Sequence, residues 1–115
     1  MNKKLIKLEN LAVFIICIVV FYRFDFSWLL FILLIFAPDI SMFGYLKGTV
    51  VGARTYNLFH TYLLSIPVLV LGFVVHTDLL TEIGLIWTAH IGIDRFLGYG
   101  LKYDSGFKDT HINRL

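Results

Sequence analysis

Four side chains carry the chemistry open to this sequence: Asp39, His60, His90 and Asp94. Imidazole and carboxylate groups are ligands for a divalent metal such as zinc, manganese or iron. An ion held by two of each could polarise a phosphoryl or carbonyl oxygen and lower the pKa of bound water. His90 and Asp94 are four residues apart, which puts them on one helix face, although His-x-x-x-Asp alone is a weak signature. In the catalytic assignment Asp39 and Asp94 also serve the reacting water, and Arg95 grips a phosphate with two parallel hydrogen bonds. Asn57 and Tyr99 are candidate substrate contacts, and Asn57 is also placed to orient His60. Each residue has a plainer reading as well: helix-to-helix hydrogen bonds for the four, a topology signal for Arg95, and an interfacial aromatic belt for Tyr99. His76 falls in a turn on the opposite side, and His111 lies in the tail, from which it could fold back as a lid ligand.

The elements that must position these groups cross a membrane. The 115 residues are 58 % hydrophobic and 16 % charged, with mean hydropathy +0.80, whereas a soluble domain has roughly 45–50 % and about 25 %. A chain this small cannot hide 11 Phe, 6 Tyr and 2 Trp from water. One spanning helix takes about 20 residues, so four fit, and the continuous apolar runs exclude a barrel, which needs alternation. The expected architecture is all-α: a single transmembrane domain over 1–115, folded as a polytopic bundle of four transmembrane helices. These run at about 5–22, 27–46, 55–75 and 79–97, followed by a short C-terminal tail at 98–115. The basic, apolar start lacks a small-x-small cleavage site and reads as an uncleaved first span. Pro38 marks a kink or broken end in segment two, and Gly84, Thr88 and Gly92 form a small-residue stripe suited to close packing. Cys17, alone, forms no intramolecular disulfide.

Nine of the ten Lys and Arg residues fall on one side of this threading, with only Arg23 on the other. Short basic loops face the cytoplasm, so both termini are expected there. Three helices then bring Asp39, His60, His90 and Asp94 to one depth near their cytoplasmic ends, and ionisable groups at such positions face the bundle interior or water. The signatures G-x-x-x-x-G-K-S/T, H-E-x-x-H and G-x-S-x-G are absent. The net charge of +2 is accounted for by topology, so nucleic acid is not an expected partner.

The chain resembles a small bacterial family of integral membrane proteins grouped as a domain of unknown function. The resemblance is carried by Ala37-Pro38-Asp39-Ile40-Ser41-Met42-Phe43-Gly44-Tyr45, by Tyr56-Asn57-Leu58-Phe59-His60-Thr61-Tyr62, and by Ala89-His90-Ile91-Gly92-Ile93-Asp94-Arg95. Leu97-Gly98-Tyr99-Gly100-Leu101-Lys102-Tyr103 and Gly106-Phe107-Lys108-Asp109-Thr110-His111 extend it. It implies a multi-pass membrane protein. Pro38-Asp39, His60 and the His90/Asp94 pair are also similar to the pattern of membrane-bound metal-dependent hydrolases of the DNA-damage-response type, without the further Asp, His-Arg or Thr-His-Ser context of that group. Two functions follow as expectations. One is metal-dependent hydrolysis of a lipid-linked or small phosphoester at the cytoplasmic membrane face. The alternative is a non-enzymatic carrier or partner-stabilising subunit whose Asp and His residues make structural interhelical hydrogen bonds.

Overall fold

Polar breaks divide the apolar sequence, and the chain turns at them. A computed structural model describes residues 1–115. Helix α1 (Asn2–Arg23) leads to a short α2 (Trp28–Leu34), a 3-10 helix (Ala37–Lys47), α3 (Thr49–Phe59), α4 (Tyr62–Val74) and α5 (Asp78–Phe96). Asp25 and His76, with φ of 56° and 54°, reverse the chain after α1 and α4. Ser27 caps α2 by accepting the Leu30 amide at 3.3 Å, satisfying one of the donors a helix start leaves free. Gly48, at φ 114°, makes the sharp turn that folds the 3-10 helix against α3, a backbone region glycine enters without steric cost.

Three runs are long and apolar enough to cross a membrane: Asn2–Arg23, Trp28–Lys47 and Thr49–Val74. The expected fourth span, 79–97, is also helical, but α5 carries Asp78, Glu82, Asp94 and Arg95 and is not in that set. It forms the centre of the bundle, packed between α1 and α4.

Two expected helices prove to be interrupted. Segment two, at 27–46, is α2 followed by the 3-10 helix, with Pro38 in its first turn, where the missing amide donor is harmless. Segment three, at 55–75, begins earlier, at Thr49, and breaks at His60–Thr61. Pro67 lies inside α4 and does not end it.

The interior is as polar as it is apolar. Nine hydrophobic residues are buried and so are nine polar or charged ones, while Ile16, Leu29, Phe36, Leu63 and Val74 stand exposed. That inversion suits a lipid surround, where apolar burial no longer drives helices together and close contact through small residues does. A Cβ added at Gly84 would lie 2.5 Å from the Leu69 Cα, one at Gly72 2.5 Å from the Thr81 amide nitrogen, and one at Gly92 2.8 Å from the Asn10 carbonyl oxygen. The expected Gly84/Thr88/Gly92 stripe therefore serves two partners, α4 at one end and α1 at the other.

Because the obstacle at Gly84 is backbone, Gly84→Val should destabilise the folded bundle by roughly 1–3 kcal/mol. Gly106→Ala, where a Cβ meets nothing within 4 Å, should change it by less than about 0.5 kcal/mol. Unfolding in mixed detergent micelles measures both, and equal effects would refute the close-packing assignment.

Candidate metal centre

The two interruptions in the apolar runs are where the ligand-type residues sit. Asp39 opens the 3-10 helix and His60 is the residue at which α3 ends. They lie within the runs Trp28–Lys47 and Thr49–Val74. His90 and Asp94 come from the last turns of α5. Irregular backbone inside an apolar run is tolerated where protein groups satisfy it, and here they do.

Four ligand atoms converge: the two Nε2 atoms of His60 and His90 and one carboxylate oxygen each from Asp39 and Asp94, all within 4.8 Å of one another. The His60 and His90 Nε2 atoms are 3.1 Å apart. Asp39 Oδ1 is 3.1 Å from His60 Nε2 and 3.2 Å from His90 Nε2. Asp94 Oδ2 is 3.5 Å and 3.2 Å from the same two atoms. A tetrahedral zinc with ligands at about 2.0–2.1 Å separates them by roughly 3.3–3.4 Å. Five of the six edges therefore have the size that one ion requires. The histidine side chains are 4 % and 2 % exposed, against 32 % for Asp39 and 18 % for Asp94, so the carboxylates form the open side.

Protonation follows from the hydrogen bonds. A carbonyl only accepts, so His60 Nδ1–H must donate to the Tyr56 carbonyl at 2.8 Å. In the neutral ring this leaves the Nε2 lone pair facing two carboxylate oxygens and a second imidazole nitrogen. Those groups repel one another unless a proton or a metal cation sits between them. The Nδ1–carbonyl bond is also the outer contact that orients metal-ligating histidines. His60 stacks on the Tyr56 ring, with centroids 3.7 Å apart and planes 6° from parallel.

The break after α3 frees carbonyls that α5 then catches. Trp87 Nε1 donates to the Phe59 carbonyl at 2.7 Å and Arg95 Nη2 to the His60 carbonyl at 3.4 Å. The Arg95 guanidinium also lies 4.8 Å from the Tyr62 ring centroid. A cation at a helix C-terminus is favourable, and the Arg95 Nε remains buried without a hydrogen-bond partner. The Tyr62 hydroxyl in turn donates to Asn10 Oδ1, which links α1 to the break.

Asn57 does not orient His60. Its Nδ2 donates to the Lys102 carbonyl at 2.7 Å and its Oδ1 accepts the Lys102 amide at 2.6 Å, a two-point clamp on the tail. Tyr99 is 52 % exposed, with its ring centroid 6.0 Å from the Lys102 ammonium. The tail returns over α3, where Asp104 approaches Arg54 at 3.9 Å and Phe107 meets the rings of Tyr45 and Tyr56. Asp109 is bonded by Arg114 and Ser105, which holds its carboxyl down at about 2. His111 folds back but does not join the cluster. Its Nδ1 accepts the Leu101 amide at 2.8 Å. Sequence reasoning missed Trp87 and Lys102, for neither has a local pattern that marks it.

His111 gives the tail a pH dependence. Burial and the nearby Arg95 cation lower its pKa below the ordinary histidine value, so the detached tail binds a proton more readily than the docked one. Docking is then at full strength above the usual histidine pKa of about 6.5 and weakens as pH falls below it. Hydrogen exchange at the Leu101 amide, corrected for intrinsic rates, should show less protection at pH 5.5 than at pH 7.5, and His111→Gln should flatten the difference. Equal protection in the wild-type chain would contradict the assignment.

Comparison with curated proteins and with solved structures returns no match. The model of the family described as Domain of unknown function (DUF4260) matches residues 3–115, and with its helices, its apolar runs and its buried Asp/His cluster the chain belongs to that family.

Proposed function

We propose that the chain is a membrane-embedded metal-dependent hydrolase of phosphoesters, with a divalent ion held by Asp39, His60, His90 and Asp94. The observation that carries this reading is the convergence of the four ligand atoms at separations of 3.1–3.5 Å along five edges. Two carboxylates and two neutral imidazoles sum to two negative charges, which a divalent cation neutralises. When bound, zinc, manganese or iron would supply Lewis acidity toward a phosphoryl oxygen and make water at the site easier to deprotonate. Asp39, the more exposed of the two carboxylates, would be the group that yields its place to water. The carboxylate not bound by the ion at that moment would take the proton from water. Arg95 acts in this reading as a positioning residue for His60, and Tyr99 as an exposed substrate contact.

A lipid-linked substrate is favoured by an apolar cavity of about 260 Å³ lined by Leu34, Ala37, Pro38, Phe59, Ile83, Ile86 and Trp87. Pro38 and Phe59 immediately precede Asp39 and His60, so a chain in this slot would have its head beside the cluster. The proposed setting is a bacterial inner membrane crossed four times, with both termini and the site toward the cytoplasm. In support, Lys7 approaches Gly98, and Arg54 approaches Asp104, so basic residues of α1 and α3 both lie against the segment that follows α5.

The second reading is a carrier or a structural lock. Its specific support is that two interrupted apolar runs meet at the polar cluster, an arrangement that transporters use for ion sites.

Elemental analysis of metal-replete protein should find about one ion per chain, and His60→Ala with His90→Ala should reduce it to background. The loaded protein should release phosphate from a lipid phosphomonoester, and Asp94→Asn should bring release to background. Folded wild-type protein that holds no ion under replete conditions would sink the hydrolase reading. A loaded protein inactive on every phosphoester would leave the lock.

A further inference from the structure

The tail places a mostly buried cation beside the same centre. Lys102 is 5 % exposed, and its ammonium lies 3.9 Å from the Phe107 ring centroid, 4.7 Å from that of Tyr56 and 6.0 Å from that of Tyr99. The ammonium makes no hydrogen bond to the protein, and Asp94 is the charged group that acts on it from the centre. An ammonium has three donors, and ring faces offset the loss of water only in part. The position is enforced, because Asn57 holds both backbone polar groups of Lys102. A second polar group nearby also lacks a partner: the Tyr45 hydroxyl is buried without a hydrogen bond, on a ring that meets Phe107 with centroids 5.4 Å apart. Tyr56 is a wall common to both places, with Lys102 against its ring and His60 stacked on it.

We propose that the Lys102 ammonium and the Tyr45 hydroxyl form an oxyanion subsite beside the Asp39/Asp94 side of the centre, which takes the non-bridging oxygens of a phosphate monoester. The inference rests on the phosphoester reading above and deepens it by naming the group that holds the substrate's charge. Donors are what a tetrahedral oxyanion needs, and Lys102 and Tyr45 supply an N–H and an O–H set from two different elements. Lysine binds phosphate as a point charge and does not need the planar fork of arginine. Asp39 and Asp94 would repel such an anion, so it should bind more tightly when a divalent ion offsets their charge. Asn57 is a positioning residue, since it touches the backbone of Lys102 and not the anion.

Titration of full-length protein in phosphatidylcholine nanodiscs with inorganic phosphate, with and without zinc, tests this. The wild-type chain should bind phosphate in both states and more tightly with zinc. K102Q should weaken binding about tenfold or more in both, Y45F should weaken it less, and K102R should stay within about threefold of wild type. Zinc content, measured on each sample, should be the same in all four proteins. Nanodiscs that also contain phosphatidic acid identify the source: competition with phosphate in the wild type and not in K102Q assigns the subsite to a lipid headgroup, and lack of competition assigns it to a free phosphate ester. Wild-type binding retained in K102Q overturns the proposal, as does absence of phosphate binding in the zinc-loaded wild type, or equal loss in K102Q and K102R when both keep the wild-type unfolding temperature. A chain that takes no zinc but binds phosphate through Lys102 defeats the metal reading and leaves the subsite standing.

Discussion

Two carboxylates and two imidazole nitrogens face one another across hydrogen-bond distances inside apolar segments, and the rest of the structure is arranged around that contact. Ionised groups taken out of water are stable only when their charge is matched and their hydrogen bonds are made. Asp39, His60, His90 and Asp94 meet the second condition among themselves, and the Tyr56 carbonyl fixes which nitrogen of His60 is free to face the others. The first condition requires a cation. A pair of protons or one divalent ion would satisfy it, and the four ligand atoms lie close enough together to hold the ion.

Bringing these groups together requires two membrane-length runs to break at the right place. An uninterrupted helix would direct the backbone of 59–61 into its own hydrogen bonds. The interruption releases the Phe59 and His60 carbonyls to Trp87 and Arg95, so α5 supplies both ligands and the groups that repair the break. Glycines at 72, 84 and 92 let α4 and α1 come close enough to α5 for this to happen. The buried polar residues, the small-residue contacts and the apolar exterior are then one solution to a single problem: positioning ionisable groups in a helical protein that has a lipid-compatible surface.

Much of the centre was legible from sequence because its residues are out of place. Asp and His in apolar runs are costly, and the four-residue spacing of His90 and Asp94 gives their shared face directly. The break at His60–Thr61 was not legible: Tyr56-Asn57-Leu58-Phe59-His60-Thr61 contains no Pro or Gly, whereas Pro67, which looks like a breaker, sits inside α4. The interruption is stabilised by side chains some 30 residues away, and no local pattern carries that information. The sequence offers Arg95 as a phosphate partner or a topology charge, and Asn57 as a ligand contact, an orienting group or a helix-to-helix bond. In the fold Asn57 bonds the backbone of Lys102, while Arg95 reaches the His60 carbonyl through one nitrogen and keeps its Nε buried without a partner. Lys102 was counted only as a topology charge, since its aromatic surround comes from α3 and from a tail that folds back on itself.

The central claim is that Asp39, His60, His90 and Asp94 are the ligands of one divalent ion. X-ray absorption at the metal edge of zinc-loaded protein tests it most directly. The account predicts an inner shell of two imidazole nitrogens and carboxylate oxygens at about 2.0–2.1 Å, with the imidazole scattering lost in the His60→Ala, His90→Ala protein. A spectrum without imidazole scattering, or with sulfur in the inner shell, would contradict it.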